Sequence, residues 1–273
     1  MKYAEFLTPE INLLNDLFSK KTVEYKNAMP FINSLKKKGM IIENNNGEAA
    51  IIEIKDTFFP YQIQLLASSQ PICEKIISFL ELDSTNEYIK NVRQTLPSAT
   101  IVLTEKQVKG KGKWDRKWFM KEGKSLLFSI LLKVDLDEIE HVGMLTFAGA
   151  LAASYACDDI AGVDTKVKWP NDVLLGTRKL CGVLTESFPL GEKAYDIIIG
   201  IGININYDKE DLTEDLQKTS TSLKIETGRE IKRIDLFMLF LKHFSNLYNA
   251  FLSKNYAEIM DKWQKKADLI KSK

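Results

Sequence analysis

Ile199-Gly200-Ile201-Gly202-Ile203-Asn204-Ile205-Asn206 alternates strictly between isoleucine and a small or carboxamide residue. A strand turns successive side chains to opposite faces, so Ile199, Ile201, Ile203 and Ile205 share one face. Gly200, Gly202, Asn204 and Asn206 share the other. Two glycines weaken a strand and are tolerated where a ligand or a second backbone comes close. Tight contact between a helix and the sheet would explain the glycines but not the asparagines, which offer hydrogen bonds to whatever fills the groove. The stretch therefore reads as a sheet strand with core on one side and a site on the other.

Further elements flank this strand, which is expected to run from Ile197 to Ile205. Val173 to Leu175 and Leu180 to Leu184 surround Gly176-Thr177-Arg178 and read as a hairpin. Val163 to Trp169 alternates, with Lys166 and Lys168 on one face and Val167 and Trp169 on the other. Ala99 to Thr104 and Leu126 to Leu132 read as strands, and His141 to Ala156 as a helix rich in small residues. Asp235 to Ser253 and Tyr256 to Ile270 have the pattern of helices packing on a sheet. The fold class is α+β, a mixed sheet faced by helices.

Residues 1–66 form a separate expectation. Thr8 caps a helix begun by Pro9, with Ile11, Leu14, Leu17 and Phe18 at helical spacing. A second helix is expected from near Pro30 to Gly39. Met40-Ile41-Ile42 and Ala50-Ile51-Ile52 flank Asn44-Asn45-Asn46-Gly47, whose Asn-Gly pair signals a hairpin. Two helices and a hairpin suggest a winged-helix-like unit, but the span is too short for the middle helix of a full helix-turn-helix. Lys36-Lys37-Lys38 reads as a solvated helix end favouring cations, with phosphate contact as the alternative.

Composition narrows the partners. In 273 residues, 38 lysines and arginines balance 37 acids, which gives no bulk charge argument for nucleic acid or membrane. Cys73, Cys157 and Cys181 are far apart, with no C-x-x-C pair, and His141 and His243 are the only histidines. A zinc site is therefore not expected, and the thiols read as reduced and buried. The N-terminus has no apolar core of a signal peptide and no run reaches membrane-spanning length, so a cytoplasmic protein is expected.

Three segments carry chemistry besides the glycine strand. Lys109-Gly110-Lys111-Gly112-Lys113 combines close backbone approach with positive charge, although no Walker P-loop is present. An exposed basic loop is the plainer reading of it. Lys168-Trp169-Pro170-Asn171-Asp172 sets a carboxamide beside a carboxylate, a pair suited to Mg²⁺ and phosphate or, equally, to a capped turn. Arg178-Lys179-Leu180-Cys181-Gly182 brings a lysine to a hairpin, where it can meet a carboxylate or phosphate or simply be solvated.

These segments, together with Asp83-Ser84-Thr85-Asn86 and Arg116-Lys117-Trp118, stand in the order and spacing of biotin protein ligases, which the chain resembles from about Leu80 to Trp263. The resemblance implies a catalytic domain over 67–273 like that of class II aminoacyl-tRNA synthetases, behind the 1–66 unit. With Lys273 ending the chain soon after the last helix, no C-terminal β-barrel is expected. It implies ATP, biotin and Mg²⁺ as ligands and biotinyl-AMP as the intermediate. The acceptor would be a lysine of a biotin carboxyl carrier protein, and a homodimer is open. Specific DNA binding and a membrane partner are not expected.

By the same resemblance, Ser84, Thr85, Asn86 and Gln107 line the biotin pocket, and Gly182 and Gly200 approach it. Lys111, Gly112 and Lys113 form a loop over biotin and the adenylate, with lysines at 111 and 113 where the family usually carries arginine. Arg116 binds ATP phosphate and Trp118 supports the adenine side, while Lys168, Asn171 and Asn204 hold the nucleotide. Lys179 meets the biotin carboxylate and the α-phosphate, and Asp172 holds Mg²⁺ or assists transfer. The catalytic set is then Lys179, Asp172, Lys113 and Arg116. Two further readings are a biotin-sensing regulator that no longer ligates efficiently and a lipoate or related acyl ligase. The tryptophan-proline pair disfavours the latter.

Overall fold

The computed structural model describes residues 2–3, 8–18, 22–37, 40–54, 72–112, 118–136 and 139–267. In chain order the elements are β1 (Lys2–Tyr3), α1 (Thr8–Phe18), α2 (Tyr25–Lys37), β2 (Met40–Asn45), β3 (Glu48–Ile54), β4 (Lys75–Glu81), α3 (Thr85–Val92), β5 (Thr100–Thr104) and β6 (Ser125–Asp135). There follow α4 (Val142–Ala161), β7 (Lys166–Lys168), β8 (Asp172–Leu175), β9 (Arg178–Pro189), β10 (Ala194–Asn204), α5 (Glu214–Thr219), α6 (Leu223–Thr227), α7 (Arg233–Leu252) and α8 (Tyr256–Lys266).

Eight strands form one sheet in the order β1-β4-β5-β6-β10-β9-β8-β7. β4 and β5 run parallel and the other neighbours antiparallel, so the sheet is mixed, as the patterns predict. Its two longest central pairings join β10 to β6 and β9, which puts the alternating strand in the middle. Ile199, Ile201, Ile203 and Ile205 are all buried in the main core. Against them lie α4, whose alanines let it approach closely, and α7 with its Phe237, Phe240 and Phe244.

On the opposite face a helix that the patterns did not reveal lies along β10. α3 begins at Ser84, whose hydroxyl accepts the Glu87 amide, a cap announced by Ser84 and Glu87 three residues apart. Along α3, Asn86 meets Gly200 and Ile89 packs in a cluster with Ile198, and just past its end Arg93 lies 3.4 Å from the buried Asp196. Helical steps of three and four residues thus match strand steps of two, which fixes where the start of α3 stands over the sheet.

The described part of 1–66 has its own cluster of Leu13, Leu14, Ala28, Leu35, Ile42 and Ala49. The hairpin turns at Asn46 and Gly47, both with positive φ, as the Asn-Gly pair demands. α2 begins at Tyr25 rather than near Pro30 and runs through that proline. Burial of Ala28 adds a turn of helix that the proline signal hid. The expected stop at Gly39 and the third lysine, Lys38, lie outside the described residues. β7 is also shorter than the alternation suggested, spanning Lys166–Lys168 only. Among the described residues no helix is long and apolar enough to cross a membrane.

Candidate active site

The glycine face of β10 is the floor of a cavity of about 700 Å³. Four surroundings converge on it: the start of α3, the 107–112 loop, the 168–172 turn and the β8–β9 hairpin. Ser84, Thr85, Asn86, Gln107, Lys111, Gly112, Trp118, Lys168, Asn171, Asp172, Lys179, Gly182, Gly200 and Asn204 all line it. Lys113 and Arg116, also expected here, lie outside the described residues. Phe119, Leu174, Leu212, Leu216, Thr177 and the 218–220 segment line it too and had no distinguishing pattern in the sequence.

One end is a hydrogen-bond network whose cavity-lining members Ser84, Thr85, Asn86 and Gln107 are neutral, with Glu186, outside the lining, bonded to Asn86. The Thr85 amide donates to Gln107 Oε1 at 2.8 Å, and Ser129 Oγ contacts both Thr85 Oγ1 (2.6 Å) and Asn86 Oδ1 (2.5 Å). Asn86 Nδ2 donates to Glu186 Oε2 at 2.8 Å and more weakly to the Leu184 carbonyl. Ser84, Thr85 and Asn86 are buried. Ser129, a lone hydroxyl inside Leu126–Leu132, was the one signal in the sequence that could have identified this partner.

The glycines make room for side chains first. A Cβ at Gly200 would lie 2.2 Å from Asn86 Oδ1, and one at Gly202 would lie 2.7 Å from the Trp118 indole. At Gly182 the nearest atom would be the same indole at 2.9 Å, with the Lys179 ammonium at 3.1 Å. Trp118 therefore rests across two neighbouring strands, its buried Nε1 without a hydrogen-bond partner among the described residues and Lys179 Nζ 5.3 Å from its ring centre.

The other end is charged. Lys179 Nζ lies 2.7 Å from Asp172 Oδ1, a buried oxygen. A β-bulge aims this lysine. Lys179 pairs with Leu174 and Cys181 with Val173, leaving Leu180 as an extra residue in β9. Leu180 and Cys181 consequently both enter the core, while Lys179 and Gly182 both face the cavity. The Thr221 amide holds the Lys179 carbonyl at 2.9 Å. Asn171 Nδ2 donates to the Val183 carbonyl at 2.7 Å and Asn204 Nδ2 to the Thr221 carbonyl at 3.0 Å. That leaves each amide oxygen without a partner among the described residues.

The root of the lysine-glycine loop is anchored on both sides. The Val108 and Lys109 amides donate to the Leu82 and Asp83 carbonyls, and the Trp118 amide donates to the Gly110 carbonyl. Lys111 Nζ lies 3.0 Å from Glu87 Oε1, and this contact holds the Glu87 carboxyl below its ordinary range. Arg233, fully buried at the start of α7, donates to Glu105 Oε2 at 2.7 Å and so fixes the end of β5 where the loop begins. Downstream, Tyr207 Oη accepts the Lys121 amide at 2.9 Å and meets Ser125 Oγ at 2.8 Å.

Burial pushes the Cys73 thiol up to about 11 and holds Cys157 and Cys181 well above the ordinary thiol range, which leaves none of the three as an activated nucleophile. Among the described residues no cluster of three or more His, Cys, Asp or Glu side chains could hold a metal by itself.

Residues 79–204 match the model of the biotin/lipoate A/B protein ligase family. The chain is 32% identical over 168 residues to the bifunctional ligase/repressor BirA of Bacillus spizizenii, covering 62% of this chain and 51% of that protein. It is 27% identical over 188 residues to the biotin–[acetyl-CoA-carboxylase] ligase of Paracoccus denitrificans, covering 68% and 78%. Among solved structures, the biotin protein ligase of Aquifex aeolicus in complex with biotin and ATP superposes with a TM-score of 0.62 at 31% identity. That match covers 71% of this chain and 79% of the other. The chain thus spans about half the length of the BirA relative that it matches.

Proposed function

This chain belongs to the biotin protein ligase family, and on that premise we propose that it joins biotin to ATP as biotinyl-AMP. It then transfers the biotinyl group to a lysine of a biotin carboxyl carrier protein. The observation that carries this reading is the polarity of one cavity: a neutral hydrogen-bonding end at Thr85, Asn86 and Gln107, and a charged end at Lys179 and Asp172. Such a cavity suits a ligand with an uncharged polar head and a carboxylate tail that must meet a phosphate.

In the first step a biotin carboxylate oxygen attacks the α-phosphorus of ATP, the new P–O bond forms, and pyrophosphate leaves. Two anions have to be brought together, and positioned cations offset their repulsion and the charge that develops. Lys179 is assigned to this junction because the bulge and the Thr221 contact hold it there. Lys111, Gly112 and, from the sequence, Lys113 and Arg116 are assigned to the loop over the intermediate and the phosphates. Lys168, Asn171 and Asn204 are assigned to the nucleotide, the two asparagines through their open amide oxygens. Trp118 would flank the adenine side.

Mg²⁺ fits one feature of the site: Asp172, ion-paired with Lys179, is a hard carboxylate donor, and with this single carboxylate the remaining ligands would be phosphates and water. When bound, the ion would neutralise phosphate charge. In the second step the acceptor amine attacks the acyl carbon, a C–N bond forms, and the acyl–phosphate bond breaks with AMP as leaving group. The amine proton passes to solvent or to Asp172. No enzyme nucleophile is required, in keeping with the inactive thiols.

Within residues 1–66 we assign the two helices and hairpin to a winged-helix-like unit preceding a 67–273 catalytic domain, with no specific operator DNA. A carrier domain incubated with ATP and either biotin or lipoate, followed by mass spectrometry, tests the function. A mass increment of one biotinyl group, dependent on ATP, is expected. An increment with lipoate alone, or none with either acid, overturns the reading.

A further inference from the structure

Trp169 departs from the pattern that places its neighbours. Continued alternation would bury it beside Val167, which is fully buried. Instead β7 ends at Lys168, the chain turns, and the indole is 75% exposed, more than any other large apolar side chain among the described residues. Single exposed apolar residues are ordinary on protein surfaces. This one, however, stands between Lys168 and Pro170, both of which line the cavity, and so sits on its rim.

We propose that Trp169 is a docking residue for the acceptor protein. The inference rests on the ligase reading above. A lysine amine can reach an acyl carbon near Lys179 and Asp172 only if the protein carrying it covers the cavity mouth. A small ligand inside the cavity leaves an outward-facing indole in water. A rim indole matches an acceptor whose modified lysine is flanked by an apolar side chain. Tryptophan is among the residues most often found to dominate binding at such contacts, through its large rigid area.

The full chain is compared with W169A and W169F in three measurements. These are biotin-dependent pyrophosphate exchange, transfer to a biotin carboxyl carrier domain, and sedimentation of the free protein. Exchange in W169A is expected to stay within about twofold of the parent, while KM for the carrier rises roughly tenfold or more, as for loss of a central aromatic contact. W169F should recover most of the transfer, and thermal midpoints should be unchanged because the side chain is exposed. Equal carrier KM values in parent and W169A would overturn the proposal. So would a parallel fall in exchange, which would make Trp169 part of the pocket. A changed oligomeric state without a change in transfer would assign the surface to a second copy of the chain instead. If the parent shows no exchange at all, the ligase reading fails first and takes this proposal with it.

Discussion

Gly200→Ala isolates how the sheet positions the neutral end of the cavity. The added Cβ would lie 2.2 Å from Asn86 Oδ1, 2.9 Å from its Cγ and 3.1 Å from its Nδ2. To reach an ordinary contact near 3.4 Å the oxygen must retreat by about 1.2 Å (3.4 minus 2.2). Asn86 cannot absorb that shift in place, because Ser129, Glu186 and the Leu184 carbonyl all hold it. Losing one or two of these bonds while overpacking the site costs about 2 kcal/mol, or roughly thirtyfold if it all falls on ligand affinity.

Calorimetric titration with biotin measures that affinity directly. Gly143→Ala is the control, since no atom would lie within 4 Å of its Cβ and Gly143 is not among the residues that line the cavity. Its biotin affinity should match the parent. If the obstruction is Asn86, then adding Gly200→Ala to Asn86→Ala should cost little further, because the atom in the way is already gone. Parent affinity in Gly200→Ala, or full additivity in the double variant, would refute the reasoning.

Lys179→Ala and Asp172→Ala should each lower biotin-dependent pyrophosphate release by two orders of magnitude or more, about 3 kcal/mol of lost electrostatic stabilisation. Rates near the parent in both would remove this pair from the chemistry. In native protein at pH 8, a chromogenic disulfide reagent should leave Cys157 and Cys181 unmodified until denaturant is added, because burial keeps both thiols protonated. The ammoniums of Lys224 and Lys124 hold the Asp208 carboxyl below its ordinary value of 3.8. A carboxyl depressed on folding contributes stability above its unfolded pKa and loses it as pH falls through the folded one. The thermal midpoint of the parent should therefore exceed that of Asp208→Asn at pH 7, and the gap should close as the pH approaches 3. A gap independent of pH would show that the ion pairs do not carry the difference.

Much of the sheet was legible because the signals are local. A period of two needs only the residues themselves, and Ile199 to Asn204 declared a core face and a site face that the fold keeps, whereas Asn206, expected on the site face, lies beyond β10 and bonds the Ile231 backbone instead. Helices α4, α7 and α8 followed from small or apolar residues at helical spacing, with ends shifted by a few residues. α3 and β4 were overlooked: α3 is eight residues long, and its clearest sign is a cap rather than a periodic face. The start of α2 was misplaced because proline is a strong local signal that packing of Ala28 overrides.

By itself the sequence determined the residue types of the site and the order in which they occur, since motif spacing is a property of the chain. Only the tertiary structure decided what those residues do to one another. Lys179 faces Asp172 because an extra residue bulges in β9, and a bulge depends on pairing between strands rather than on the bulged strand alone. Gly182 and Gly202 admit the Trp118 indole, and Gly200 admits Asn86, because residues far apart in sequence come to lie on the same face. Trp169 is the converse case. Local alternation set it on the face of Val167, and the end of β7 one residue earlier turned it out to the cavity rim. Side-chain periodicity persists only as far as the strand does, and where a strand stops is set by the hydrogen bonds its neighbours can supply.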